Sequence, residues 1–169
     1  MKMEKVNRIL DALIAIAFIY LIYMLVWPQY TSIKEKNLEA KVKANLYEIR
    51  CAVEQYAAYN NGYFPKSVDD FIPYLHEGKF PVNPYTGSPL TKDDIKTHQY
   101  IAPTDPKDDS PNGVNGKFRG EPGKIVYAFF IPPGDTLPTA YGLVGFNKNG
   151  EPIFYIDPGK KKHIFVLHN

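Results

Sequence analysis

Hydrophobic and polar positions follow three rhythms in turn along this chain. From Ala12 to Ile33 there are 22 consecutive uncharged residues, and Ala12 to Trp27 is almost uniformly apolar. At about 1.5 Å of helical rise per residue the run reaches roughly 33 Å, enough for a hydrocarbon core of about 30 Å. Trp27 and Tyr30 stand where an interfacial aromatic belt belongs. A cleaved secretory signal needs a small-x-small site after its apolar core, and Trp27-Pro28-Gln29-Tyr30-Thr31 offers none. A buried core helix needs a polar face, which the run lacks. The pattern therefore predicts a membrane-spanning helix over 9–33, preceded by a short basic tail over 1–8.

Past Pro28 the rhythm becomes amphipathic. Leu38, Val42, Leu46, Ile49, Val53 and Tyr56 are spaced by 4, 4, 3, 4 and 3, which averages to the helical period. The helix is expected to continue over 34–61, with its stripe on a core and with Pro28 bending it. Asn60-Asn61-Gly62 supplies a stop, because Asn and Gly tolerate the left-handed backbone that ends helices. Cys51, the single cysteine, reads as a small half-buried helix residue and excludes an intramolecular disulfide.

The third rhythm, over 62–169, is that of a globular head. Fourteen of the fifteen prolines lie at or beyond Pro65, which confines this region to short elements and loops. Ser67 with Asp70 three positions on is a capping-box pattern opening a short helix to about Tyr74. Phe80 to Pro89 reads as a turn-rich loop, and 103–123 as an exposed one. Strands are expected over Ile125–Ile131, Ala140–Phe146 and Ile153–Ile156, with a fourth over His163–Leu167. Asn147-Lys148-Asn149-Gly150 reads as a hairpin turn. Strands joined by tight turns pair antiparallel, and the striped helix is the natural cover for one face. The expected fold class is α+β: a long N-terminal helix spine packed on a small antiparallel sheet.

Charge and candidate chemistry change this picture little. Twenty basic and eighteen acidic residues give a net charge of +2, which argues against a nucleic-acid partner. Lysines flank the apolar run on both sides, so charge counting does not orient it. Gly-x-Ser-x-Gly, His-Glu-x-x-His, phosphate-cradling glycine loops and Cys-x-x-Cys-His are all absent, and no catalytic residue is assigned. His76, His98, His163 and His168 have no ligand spacing and are expected on surface loops. Lys160-Lys161-Lys162 reads as a solvated turn, with acidic lipid or DNA as the sharper alternatives.

The apolar helix, Trp27-Pro28, and the passage Glu54-Gln55-Tyr56 through Asn60-Asn61-Gly62-Tyr63-Phe64-Pro65 resemble type IV pilin-like proteins, and most the major pseudopilins of type II secretion. Ser67 to Leu75 and Asn83-Pro84-Tyr85-Thr86-Gly87 are similar to that family too. The likeness covers roughly residues 7 to 90, and the sheet region only in outline. The family's leader ends in Gly before Phe at the cut; here Val6 and Asn7 occupy those positions, which predicts that a prepilin peptidase cuts this chain poorly or not at all. Asp11 falls where the family has Glu, five positions after the cut.

The resemblance implies a structural subunit of a type II secretion or type IV pilus-like system. It would self-assemble through its N-terminal helix, with Asp11 and Pro28 as assembly residues and with other pilin-like subunits and an assembly platform as partners. Asp11 either pairs with a neighbouring subunit or is satisfied locally, paired to Arg8 or as a solvated cap. The expected location is the cytoplasmic membrane, single-pass, with the C-terminal domain extracytoplasmic or carried on an extracellular filament. No cofactor is expected beyond calcium, which some pseudopilins bind in a C-terminal loop; Asp105, Asp108 and Asp109, with Asn112, are the oxygen donors here. The competing readings are an uncleaved, membrane-anchored accessory protein and a binding module using the loop around Asp108.

Overall fold

A computed structural model describes the backbone of residues 2–100 and 119–169, and side chains from Arg8 onward except Ile9 and Tyr100. The chain forms two compact units, Met1–Asn37 and Leu38–Asn169. Helix α1, Lys2–Tyr59, contributes to both and is unbroken at Pro28.

The first unit is helix alone. Thr31 Oγ1 donates to the carbonyls of Trp27 and Pro28 at 3.2 and 2.9 Å, beside the point where proline removes a backbone donor.

In the second unit the stripe of α1 is covered as its spacing requires. Val42, Leu46, Ile49 and Val53 are buried, and Leu38 and Tyr56 are half-buried. The helix ends where Asn61 and Gly62 take left-handed backbone, φ 55° and 85°. Gly62 N–H donates to Ala57 O at 2.9 Å, and the Asn60 side-chain amide donates to Tyr56 O at 2.8 Å, satisfying carbonyls the helix end leaves open. Cys51 is exposed and not half-buried, because two positions from both Ile49 and Val53 is the far side of a 100° helical wheel.

Helix α2, Val68–Phe71, follows, extended by a 3₁₀ turn over Ile72–Tyr74. The Asp70 carboxylate accepts the N–H groups of Ser67 and Lys66 at 2.9 and 3.1 Å, the reciprocal half of the capping box.

The sheet is mixed, a correction to the wholly antiparallel sheet expected. Strands β1 (Ile95–Tyr100), β2 (Ile125–Phe130), β3 (Ala140–Gly145) and β6 (Val166–His168) lie in the order β1-β2-β3-β6. β2–β3 and β3–β6 are antiparallel, whereas β1 runs parallel to β2. β4 (Phe154–Ile156) and β5 (Lys162–Ile164) form a separate two-stranded ribbon. The Asn147–Gly150 turn is present, with Asn147 N–H donating to Glu151 O at 2.8 Å. Pairing beyond it is limited to the isolated Phe146–Pro152 bridge, closed on its far side by Ile153 N–H donating to Gly145 O at 2.9 Å. The expected fourth strand divides at Phe165, whose N–H donates to Ile153 O at 2.7 Å; Ile164 pairs with Phe154, and Val166 with Val144.

Alternation sorts the central strands onto two buried faces. Ile125, Tyr127 and Phe129 of β2, with Tyr141 and Leu143 of β3, join Leu46, Ile49 and Val53 of α1 in the main core. Ala128 and Val144 face the other way, under Phe130, Ile164 and Val166. Burying each large aliphatic side chain contributes about 1.5–3 kcal/mol. Two buried tyrosines tie the core to its surroundings: Tyr127 Oη donates to Pro65 O at 2.8 Å, and Tyr141 Oη to Glu54 Oε1 at 2.9 Å.

Candidate functional site

The exposed apolar segment of the first unit is the feature that folding alone does not account for. Every large apolar or aromatic side chain that is described from Leu10 to Ile33 keeps between 52% and 68% of its surface uncovered. The helix is long and apolar enough to cross a membrane. Tyr20, Tyr23, Trp27 and Tyr30 follow one another at spacings of 3, 4 and 3, which places them within an arc of about 80° at 100° per residue. Tyr23 stacks on Trp27 with centroids 5.4 Å apart, and Trp27 lies 6.5 Å from Tyr30. One face is thus rich in aromatics with polar tips, while Ile14, Leu21 and Leu25, at least about 100° round the wheel from Tyr20, are aliphatic.

The residues singled out in the sequence fall differently. Asp11 and Arg8 are both exposed, and among the described residues no ion pair joins them. Pro28 lies inside α1. Val6 and Asn7 belong to the same helix, with side chains outside the described residues. Asp105, Asp108, Asp109 and Asn112 lie outside the described residues altogether.

No family model matches this chain, and no curated protein or solved structure does so either. The chemistry of the second unit must therefore be read from its own geometry.

Among the described residues no group of three or more His, Cys, Asp or Glu side chains is placed to hold a metal. The histidines are not on loops as expected: His98 lies in β1, His163 in β5 and His168 in β6, with His76 in a 3₁₀ turn. His163 Nε2 sits 3.2 Å from Asp157 Oδ2 and its ring stacks on Tyr155 at 5.3 Å. An open groove of about 700 Å³ runs past Cys51, Gln55, Tyr59, Tyr74 and His76.

The perturbed ionisable groups serve the fold. Burial, then the hydrogen bond to Glu54, pushes the Tyr141 phenol far above its ordinary value, so it stays protonated as a donor. Arg50 Nε donates to the same carboxylate oxygen at 2.7 Å. Burial works to raise the pKa of Asp94, but hydrogen bonds from the Thr91 hydroxyl and N–H and from Lys124 outweigh it and hold the carboxyl below its usual range. Lys124 Nζ bridges Glu121 at 2.8 Å and Asp94 at 3.2 Å, and these contacts, Glu121 foremost, raise its pKa.

A pair of lysine–ring contacts that sequence reasoning did not assemble lies on the two faces of the β4–β5 ribbon. Lys43 Nζ stands 4.6 Å from the Phe165 ring centroid and Lys162 Nζ 3.9 Å from that of Phe154. Tyr47 meets Phe165 edge-on at 6.2 Å. The lysine run 160–162 was its one visible signal; Lys43 and Tyr47 are more than a hundred positions away in the chain.

Proposed function

We propose that this chain is a non-catalytic, single-pass membrane protein of the pilin-like kind, a structural subunit that assembles through its N-terminal helix. The observation that carries the reading is the contrast within α1: side chains from Leu10 to Ile33 are uncovered, whereas the stripe from Val42 to Val53 is buried. An apolar helix without a protein cover requires lipid or other helices around it. The polar tips of Tyr20 and Tyr23, deep in such a span, favour the aromatic arc as the face that packs on a second copy, because a hydroxyl in hydrocarbon gains from an interhelical partner.

Disulfide trapping in native membranes tests this. In a Cys51→Ser background, Tyr23→Cys is expected to give a disulfide-linked dimer, the limit for one thiol per chain, and Leu25→Cys, off the arc, mostly monomer. Monomer from both positions removes the assembly claim.

A second reading is favoured by Val6 and Asn7 at the processing position: an uncleaved anchor that stays fixed as an accessory protein. Mass spectrometry of the mature N-terminus separates the two. A chain beginning at Asn7 supports the filament subunit, and an intact Met1 with no disulfide-linked dimer supports the fixed anchor.

A further inference from the structure

The β4–β5 ribbon carries a surface whose composition is unlike that of an ordinary solvated turn. Its connecting loop is folded back on one carboxylate: Lys161 N–H donates to Asp157 Oδ1 at 2.8 Å, and His163 Nε2 lies 3.2 Å from Oδ2. Lys160 N–H donates to Asp157 O at 2.9 Å, and Asp157 N–H to Lys161 O at 3.0 Å. The loop's single acid is thereby engaged inside the turn, while Lys160, Lys161 and Lys162 are exposed. Beside them Ile156 leaves 71% of its surface uncovered, and Tyr155 is also exposed. Lys43, Tyr155, Phe165 and Val166 line a shallow depression of about 390 Å³ at the ribbon's other face, since Tyr155 and Ile156 are consecutive in β4 and point to opposite sides.

We infer that this ribbon is a docking surface for an anionic phospholipid bilayer, seating Ile156 at the headgroup level with Lys160–Lys162 on lipid phosphates. The inference rests on the reading that Leu10 to Ile33 lies in the bilayer. Exposed aliphatic and aromatic side chains ringed by lysines suit the membrane interface, where apolar stems enter the acyl boundary and ammonium groups remain at the headgroups. The lysine–ring contact holds the Lys162 ammonium over Phe154 with its outward hydrogens still available. Charge is complementary, since juxtamembrane lysines gain from an anionic surface within a Debye length.

The tether makes the encounter local. Lys43 follows Ile33 by ten positions, and ten residues span at most about 35 Å even when fully extended. Nucleic acid suits the surface less, because lysines already cover the two phenylalanine rings on which bases would stack.

The test uses the full chain in vesicles, with an environment-sensitive fluorophore on Pro158→Cys in a Cys51→Ser background. Vesicles are made of phosphatidylcholine alone or with phosphatidylglycerol, and carry a nitroxide quencher on the headgroups. Quenching is expected only in the anionic vesicles and is expected to weaken in high salt. Each lysine near such a surface is worth about a fivefold change in local partitioning, so Lys160→Gln/Lys161→Gln/Lys162→Gln should abolish the quenching, and Ile156→Ser should weaken it. Equal quenching in both lipids, or none in either, overturns the proposal. So does protection that appears only as protein density rises, which would assign the surface to copy–copy contact. An alkaline carbonate wash of the same vesicles separates the two readings: retained protein with an unquenched label sinks the ribbon proposal alone, and protein released into the wash sinks both.

Discussion

Ile19 and Leu46 are both large aliphatic residues of α1, yet Ile19 is 68% uncovered and Leu46 is 0% exposed. Around Ile19 the neighbours are apolar on every side of the wheel, so no face is distinguished and no partner in the fold selects one. Around Leu46 the apolar positions recur at helical spacing between charged ones, so one face is chosen and the sheet covers it. Hydrophobicity alone therefore does not tell a core position from a membrane position; its angular distribution does. The uncovered half depends on the solvent around it and the covered half on the side chains of the head, so each should be breakable without the other.

The largest effect is expected from charge in the uncovered half. Ile19→Lys with Ile22→Lys places two ammoniums near the middle of the span, at about 2.5–3.5 kcal/mol each on insertion scales. Retention through a carbonate wash should be lost, while the thermal midpoint of the head stays where it was. The reverse is expected of Leu46→Ala, which leaves a cavity in the main core and costs about 2–5 kcal/mol. Denaturant unfolding followed by tyrosine fluorescence should shift, with membrane retention unchanged. If either variant moves both readouts together, the two halves are coupled and the comparison fails.

Much of this division was legible in the chain because it depends on local spacing. The stripe from Leu38 to Tyr56, the Asn61-Gly62 stop, the Ser67/Asp70 cap and strands β2 and β3 are all written within a few residues of where they act. What was missed depends on partners distant in sequence. Ile95–Tyr100 carries Lys96, Thr97, His98 and Gln99, a weak strand pattern, and becomes β1 through its parallel register with Ile125–Phe130. Parallel pairing requires a crossover that no turn signal announces. The same holds for the candidate surface: Lys160–Lys162 is visible as a run, but Lys43 and Tyr47 reach Phe165 only through folding. The aspartates proposed for calcium fall outside the described residues, and the structure adds nothing to that expectation.

A third prediction probes how closely the covered half is packed. A Cβ at Gly145 would lie 2.6 Å from Val42 Cγ1, so this glycine lets β3 approach the helix. Gly145→Val should cost about 1–3 kcal/mol, the range for overpacking a filled core. Val42→Ala in the same chain should recover part of that loss, since it removes the atom that clashes. A double-mutant cycle on the unfolding midpoint measures the recovery, and strict additivity would show that the two residues do not meet.

The smallest effect concerns pH and again separates the halves. Asp94 is held below its ordinary value of 3.8, so its folded pKa is lower than its unfolded one. The unfolded chain then binds more protons between those two values, and stability rises with pH across that window. The contribution is fully present above the unfolded value and is lost as pH falls through the folded one. Asp94→Asn keeps an acceptor for Thr91 but removes the charge facing Lys124. The difference in thermal midpoint between wild type and Asp94→Asn should stay constant from about pH 5 to 8 and shrink below about 3.8. Other carboxylates titrate in that range in both proteins and cancel in the difference. Membrane retention of Leu10–Ile33, which carries no ionisable group that the head relies on, should not follow this curve; a retention that tracks it would mean that head stability and anchoring are a single transition.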